Sequence, residues 1–223
     1  MYGGEMETRM PPALFDADLL ALRRWRAARL GPADVLHAEV AGDIEERLAA
    51  VNRRFTAPAI VGPRAALWAD LLVLPGARLV PDADTLDLEP GAHDLVVHAL
   101  ALHWANDPVG QLVQARRALR PDGLLIAALF GGETLHELRA ALAEAEVATL
   151  GGLSPRVAPM GEIRDLGHLL QRAGLALPVA DSRRFTVSYP SALALMRDLR
   201  AMGETNAMRD RLRRPSGVPK RSV

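Results

Sequence analysis

In the middle of the chain the hydrophobic residues form two short unbroken runs, separated by a segment with helical spacing. The two runs, residues 94–100 and 123–130, are continuous rather than alternating, which is typical of strands covered on both faces in a parallel sheet. Between them, Leu112, Ala115 and Leu119 recur at the spacing of one helix face. The pattern therefore predicts a strand, a helix and a second parallel strand, joined by a right-handed crossover.

The ends of this helix and the turn that follows it carry their own signals. Asp107 is a suitable N-cap and Pro108 a suitable first helical residue. Arginines fill the last turn, where a positive charge complements the helix dipole. Residues 120–123, Arg-Pro-Asp-Gly, predict a turn in which Pro121 fixes φ and Gly123 permits a positive φ.

The first half of the chain predicts two amphipathic helices, then a strand, a helix and a second strand. These elements are predicted at residues 14–30, 33–55, 57–62, 63–72 and 76–80. Twenty residues separate Gly62 from Asp82, about enough for one helix and one strand. We therefore expect the first half of the sheet to be shortened.

The second half predicts three further helices and an edge strand. The helices are predicted at residues 134–150, 162–173 and 191–202, and an alternating segment at residues 183–189 predicts the edge strand. Residues 1–12 and 213–223 lack a pattern that would bury a core, so we expect both to be disordered. A single domain over residues 13–212 remains, long enough to bury a full α/β core.

Composition excludes some classes of function. The formal net charge is zero, which gives no support for binding nucleic acid or an anionic membrane. The absence of cysteine excludes disulfides, thiolate metal sites and cysteine nucleophiles. Neither a signal peptide nor a run of about 18 apolar residues is found, so a cytoplasmic protein without a transmembrane segment is expected.

Few polar residues stand out as candidates for chemistry. His103 and Trp104 follow the first buried strand, at the end where open α/β sheets bind their ligands. His98, inside that strand, is expected to be a hydrogen-bonded core residue. Glu144 and Glu146 are expected to be solvated. The histidines lack the spacing of metal ligands, so no metal site is predicted.

The sequences of several segments resemble those of one protein family. Residues 94–97, 103–104 and 117–125 resemble strands four and five of class I S-adenosylmethionine (SAM)-dependent methyltransferases. Residues 131–139, 154–156, 164–167, 169–174 and 195–204 resemble a narrower branch, the group related to the methyltransferase-fold assembly factor of respiratory complex I. The malonyl carrier-protein methyltransferase of biotin synthesis is a looser relative. The resemblance runs from about Leu14 to Arg214.

This resemblance implies a Rossmann-like class I methyltransferase fold with N-terminal helices, and SAM as the cofactor. It places the cofactor against Gly62, Asp82, Ala83, Leu100, His103 and Trp104. It implies that the Asp82 carboxylate accepts a hydrogen bond from the adenine amino group, although an exposed acid in a loop would look the same in the sequence. Trp104 either packs on the adenine ring or plugs the sheet edge.

The resemblance also bears on the rest of the site. It directs Arg156, Tyr189 and the pair 203–204 toward the substrate. The N-terminal helices either cap the cofactor pocket, as in the family, or cover the sheet edge. Family members continue through a further helix and a final antiparallel strand, which this chain is expected to lack.

The chain departs from the family in the turn after its first strand. A SAM site usually has several glycines there, whereas this sequence offers Gly62 followed by Pro63, and no acidic residue stands out as the ribose ligand. Three functions follow. The chain is a SAM-dependent methyltransferase, or a SAM-binding oxygenase, acting on a protein such as a respiratory-complex subunit; or a non-catalytic assembly or binding protein that has lost SAM; or a binder of another ligand. Because methyl transfer requires mainly in-line positioning, the sequence identifies no catalytic residue.

Overall fold

The computed structural model of this chain describes residues 12–31 and 33–213. The disorder expected of residues 1–12 and 213–223 concerns segments that lie almost entirely outside the described residues. The helices are α1 (Ala17–Ala27), α2 (Val35–Val51), α3 (Ala65–Leu71), α4 (Pro108–Ala118), α5 (His136–Leu150), α6 (Ile163–Arg172) and α7 (Ala192–Met202). The strands are β1 (Pro58–Val61), β2 (Arg78–Val80), β3 (His93–Ala99) and β4 (Leu119–Ala128), and a 3-10 turn spans Leu102–Trp104.

The four strands form one parallel sheet in the order β2-β1-β3-β4. From β1 the chain moves outward to β2 and then returns to the other side of β1 as β3, so the strand order reverses between β1 and β3. A single helix and a single strand lie between Gly62 and Asp82. The predicted Rossmann-like α/β fold with a shortened first half is confirmed.

The core forms on both faces of the two central strands. Every residue of β1 and β3 is buried, in agreement with their unbroken apolar runs. One face packs against α2 and α3, where the buried Trp68 ring donates a hydrogen bond to His37 Nδ1 at 3.1 Å. Burial lowers the pKa of His37 to about 4, so the imidazole is a neutral acceptor at physiological pH.

The helix start predicted at Asp107 and Pro108 is confirmed, and further helices have caps of their own. Asp107 caps α4, its carboxylate accepting from Gly110 N at 2.8 Å, and Pro108 is the first helical residue. Ser191 caps α7 in the same way. Gly151, with φ of 67°, ends α5 in the left-handed conformation that glycine adopts without steric cost.

The predicted turn at residues 120–123 is present, but inside a strand. β4 begins at Leu119, which pairs with His93; the next pair is Leu95 with Leu124, so residues 120–123 bulge out of register. The positive φ, 63°, belongs to Asp122 rather than to Gly123. A Cβ on Gly123 would lie 2.9 Å from Leu119 Cδ2 and 3.0 Å from the Arg120 carbonyl oxygen, so a side chain there would displace its neighbours.

The predicted edge strand at residues 183–189 is wrong. These residues have no regular secondary structure and are largely exposed. A strand requires a hydrogen-bonded neighbour, and in the described part of the chain β4 pairs with β3 alone, so alternation of side chains does not suffice. All described strand pairings within the sheet are parallel.

The segment that holds residues 181–189 is tied to the protein by side chains instead. Arg183 donates to Asp43 on α2 at 3.0 Å, and Tyr189 bonds Asp198 on α7.

Among the residues described, no helix combines the length and the apolarity needed to cross a membrane.

Candidate functional site

The carboxyl ends of β1, β2 and β3 meet at one edge of the sheet, at the point where the strand order reverses. Open α/β sheets bind ligands in this position. Gly62 follows β1, Asp82 follows β2, and Leu100 and the 3-10 turn follow β3. Helix α1 packs against α7, and together they bring Arg24 and Glu204 to this edge. We call Arg24, Asp82, His103, Trp104 and Glu204 the edge cluster.

Gly62 is required by the packing of the sheet itself. A Cβ at this position would lie 2.7 Å from the carbonyl oxygen of Ala99, a backbone atom that has no freedom to move away. The Gly62 amide donates to Val80 O at 2.9 Å, which fastens the turn to β2. Leu100, the matching residue after β3, is buried with φ of 46°. The close approach of the strands accounts for this glycine without a ligand.

Asp82 is a buried ion-pair partner. Its Oδ2 lies 2.7 Å from Arg24 Nη1, and the two side chains are only 10% and 16% exposed. The alternative of an exposed loop acid is therefore excluded. Arg24 keeps two buried nitrogens, Nε and Nη2, that have no hydrogen-bond partner among the described residues. Buried donors are seldom left unpaired, because they lose hydration without compensation.

Glu204 binds both residues of the His-Trp tip. Trp104 Nε1 donates to Glu204 Oε2 at 2.6 Å, and His103 Nε2 lies 3.0 Å from the same oxygen. Burial favours a raised pKa for Glu204, but its interactions with His103 and Arg24 and the hydrogen bond from Trp104 outweigh burial, so the pKa falls below its usual range. Glu204 is thus a carboxylate, and His103 must donate from Nε2 to it.

Trp104 is buried in the protein. Its ring is 6% exposed and packs edge-on against Phe15, with the ring centroids 5.0 Å apart. The His103 ring meets Phe130 in the same manner, with centroids 4.8 Å apart. Of the two interpretations of Trp104, this arrangement corresponds to a plug at the sheet edge.

A pair of glutamines on α4 holds the loop that carries Asp82. Gln111 joins buried His98 Nε2 at 2.8 Å to the carbonyl of Ala83 at 3.0 Å, which confirms His98 as a hydrogen-bonded core residue. Burial lowers the pKa of His98, so its ring is neutral. Gln114 accepts from Leu86 N at 2.8 Å and donates to Asp84 O at 2.9 Å. The sequence signal for this contact with the loop was the presence of two glutamines three positions apart on one helix.

A small apolar cavity of about 150 Å³ lies on the other side of His103. Its walls include Leu102, Phe130, Gly161 and Leu166. Ligand pockets usually measure about 300–1,000 Å³, so this cavity accommodates a small group rather than a whole cofactor. His103 Nδ1 is buried without a partner in the part of the chain described.

The residues that the resemblance directs toward substrate do not form one group. Arg156 donates from Nε to Glu146 at 2.8 Å, and Tyr189 bonds Asp198, whereas Glu204 belongs to the edge cluster. The expectation that Glu146 is solvated is wrong. It is 4% exposed and also accepts from Ser154 N and Oγ, because the loop after α5 folds back over it.

Arg24 was missed by the sequence reasoning, although a signal existed. In α1, the buried residues Leu20 and Ala27 bracket it at helical spacing, so Arg24 is the charged residue within the buried stripe. Among the described residues, no group of three or more histidine, aspartate or glutamate side chains is arranged to hold a metal ion.

Comparison with known proteins points to one family. Residues 34–127 match the methyltransferase domain family. The chain is 44% identical over 133 residues to the human protein "Arginine-hydroxylase NDUFAF5, mitochondrial", covering 60% of this chain and 39% of that protein.

Two bacterial relatives carry a second name, malonyl-[acyl-carrier protein] O-methyltransferase. The protein of Halorhodospira halophila is 37% identical over 186 residues, covering 83% of this chain and 53% of its own length. That of Laribacter hongkongensis is 41% identical over 131 residues, covering 59% and 42%. The chain thus spans between about two fifths and half of the length of these curated relatives.

Proposed function

We propose that the chain, whose residues 34–127 match the methyltransferase domain family, binds SAM at the edge cluster and acts as a methyltransferase-type enzyme. The observation that carries the proposal is the set of buried charges at the point where the strand order reverses. The side chains of Arg24, Asp82 and Glu204 are charged and only 10–16% exposed, and all three residues lie outside the strands of the sheet. Buried charges at such a point mark ligand sites.

The chemistry of these residues fits SAM. The cofactor carries two positive groups, its sulfonium and its ammonium, and one carboxylate, while the cluster holds the Glu204 carboxylate beside the Arg24–Asp82 ion pair. Arg24 Nε and Nη2 have no hydrogen-bond partner among the residues that the structure describes, and the cofactor carries acceptors. When bound, SAM supplies a methyl group on an activated sulfonium, and the chain's task is to orient it and to exclude water.

Asp82 takes a different role from the one the family resemblance gives it. It follows the strand next to β1 and lies twenty residues after Gly62, and in dinucleotide folds an acid so placed binds the ribose hydroxyls. We therefore assign Asp82 to the ribose rather than to the adenine amino group. The Gln111 bond to Ala83 O holds the adjacent backbone for this purpose.

The substrate is a protein side chain, in the assembly of a respiratory complex. The name of the human relative, an arginine hydroxylase, supports a protein side chain as substrate, and the respiratory complex rests on the resemblance of residues 131–139 and 195–204 to the assembly-factor branch. Transfer of a methyl group and insertion of an oxygen atom are distinguished by mass spectrometry. Respiratory-complex subunits from cells with and without this protein should differ by one methyl group or one oxygen atom on a side chain. Cytoplasmic location stays a prediction, and the human relative's name places that protein in mitochondria.

Calorimetric titration with SAM and S-adenosylhomocysteine tests the cofactor. We expect micromolar affinity for the wild type and about a tenfold loss for Asp82→Asn, since the substitution removes a charged hydrogen-bond acceptor. Asp84→Asn, on an exposed acid two residues away, is the matched control and should bind as the wild type. Absence of both heat and thermal shift at millimolar ligand would reject the enzyme and leave a non-catalytic assembly protein.

A further inference from the structure

The apolar cavity beside His103 is enclosed by parts of the chain that are fastened to one another. Leu102 lies in the 3-10 turn after β3, Phe130 follows β4, and Leu166 lies on α6. The loop before α6 is tied to the end of β4, because Gly132 N donates to Gly161 O at 2.9 Å. The walls of the cavity are therefore fixed in place, as they are in most sites that bind small molecules.

The size and the polarity of the cavity limit what it can hold. Its volume of about 150 Å³ matches that of apolar cavities in proteins that take one benzene ring. One wall residue, Leu14, is 45% exposed, so the cavity reaches the surface. His103 is the single titratable side chain among the wall residues. Since a buried water needs about two to four polar partners, a neutral apolar ring suits this space better than water does.

His103 brings one unpaired polar atom to this apolar surface. Its side chain is 3% exposed, and Nδ1 has no hydrogen-bond partner among the residues that the structure describes. Nε2 bonds Glu204, which is not a wall residue, so one edge of the ring faces the edge cluster and the remainder belongs to the cavity wall. Because Nε2 donates its hydrogen to Glu204, Nδ1 of the neutral ring carries a lone pair. A buried acceptor of this kind is stabilised when a donor meets it.

We propose that the cavity binds a phenol, a neutral aromatic ring whose hydroxyl donates to His103 Nδ1. The ring fills the apolar space, and the hydroxyl satisfies the unpaired nitrogen. Toluene would leave Nδ1 unpaired, and a carboxylate or an ammonium group would bring a charge that no wall residue neutralises. This site goes beyond the proposed function, because it requires no bound cofactor.

Calorimetric titration of the full chain with phenol and with toluene tests the site. The wild type should bind one phenol per chain. His103→Leu removes the acceptor at similar side-chain volume and should weaken phenol binding at least about tenfold, since the hydroxyl is then buried without a partner. The same variant should bind toluene within about twofold of the wild type. In the wild type, the nitrogen-15 resonance of His103 Nδ1 should shift on addition of phenol and move far less with toluene.

A second variant covers the case in which His103→Leu does not fold. Ala105→Leu adds volume to the cavity wall, leaves His103 intact and should abolish binding of both ligands. Ala148→Leu, on the exposed face of α5, is the matched control and should bind both as the wild type.

Phenol binding that is unchanged in His103→Leu, or that persists in Ala105→Leu, overturns the inference. So does a wild type that binds toluene alone or neither ligand. Phenol binding by a chain that fails to bind SAM would reject the proposed function and leave this site standing.

A free phenol and the tip of a tyrosine side chain share the chemistry of this site. Titration with N-acetyltyrosinamide distinguishes the two sources. Affinity comparable with that of phenol would show that a tyrosine side chain reaches the cavity, whereas phenol binding alone would restrict the site to free small molecules.

Discussion

Glu146 is a buried carboxylate that organises the loop after α5. The Ser154 hydroxyl and amide and Arg156 all donate to it, and these bonds lower its pKa to about 2. Because the folded-state pKa lies below the unfolded value, near 4.5, this carboxylate stabilises the protein above that pH. Its contribution is lost as the pH falls from about 4.5 toward 2.

Glu146→Gln should therefore lower the melting temperature at neutral pH by at least about 2 °C. It should also flatten the loss of stability on acidification, because the substituted residue no longer binds a proton on unfolding at low pH. Thermal melts followed by circular dichroism between pH 3 and 7 check both effects, with Glu144→Gln, on the exposed face of α5, as the control. A variant that follows the wild-type pH curve would contradict the assignment.

At the residue scale, sequence reasoning located Asp82 and the His-Trp tip but not their partners. Strand ends and the resemblance both direct attention to the tips of β2 and β3. The partner of Asp82 is Arg24, separated from it by 58 positions; the buried stripe of α1 singles out Arg24, but which acid it meets depends on the fold. The burial of Glu146 was also missed, because it depends on a loop that folds back over this residue.

Helix α4 holds the loop between β2 and β3 in place through two side chains. Its N-cap, Asp107, fixes where the helix begins, and that start sets Gln111 and Gln114 against the loop. The loop between Asp82 and Leu86 has no ladder of its own, so its order depends on these two side chains.

Gln114→Ala should free the Leu86 amide, which now donates to Gln114 Oε1. Hydrogen exchange at Leu86 should accelerate at least tenfold, while amides of the fully buried β3 keep their protection. Exchange followed by mass spectrometry of peptides covering the loop measures this, and Gln171→Ala, on exposed α6, is the control. Unchanged exchange at Leu86 would show that the bond does not hold the loop.

At the element scale, most helices and strands were predictable because their hydrophobic periodicity agrees with their surroundings. The failure at residues 183–189 has a physical cause, since a strand is a pairing between two segments and its partner cannot be read from one of them. The turn at residues 120–123 was foreseen, but its place within β4 depends on the register with β3.

Across the whole molecule, exposed charges connect the first half of the chain to the last. Asp43 and Arg47 on α2 form ion pairs with Arg183 and Asp181, at 3.0 and 2.8 Å. Exposed ion pairs of this kind contribute little to global stability, about 0–1 kcal/mol each. Their effect falls on the segment they hold, which lacks regular secondary structure.

Asp43→Asn should leave the melting temperature nearly unchanged and make the chain several-fold more sensitive to trypsin after Arg183 and Arg184. Timed digestion with mass spectrometry of the fragments locates the cleavage. Glu46→Gln, on the exposed face of the same helix, should digest as the wild type. Equal cleavage rates in Asp43→Asn and the wild type would show that the ion pairs do not restrain the segment.

The edge cluster draws its members from both ends of the described chain, and this has a consequence for biosynthesis. Arg24 and Asp82 leave the ribosome early, whereas Glu204 emerges only after α7, and the backbone bonds Asp16 N to Ala207 O and Arg209 N to Leu14 O join the two ends later still. Since a nascent chain emerges amino end first, the charges at Asp82 cannot be enclosed until synthesis of the domain is nearly finished. A polypeptide that stops before α7 is made therefore leaves Trp104 and His103 without Glu204, and lacks the backbone bonds that join the two ends of the described chain.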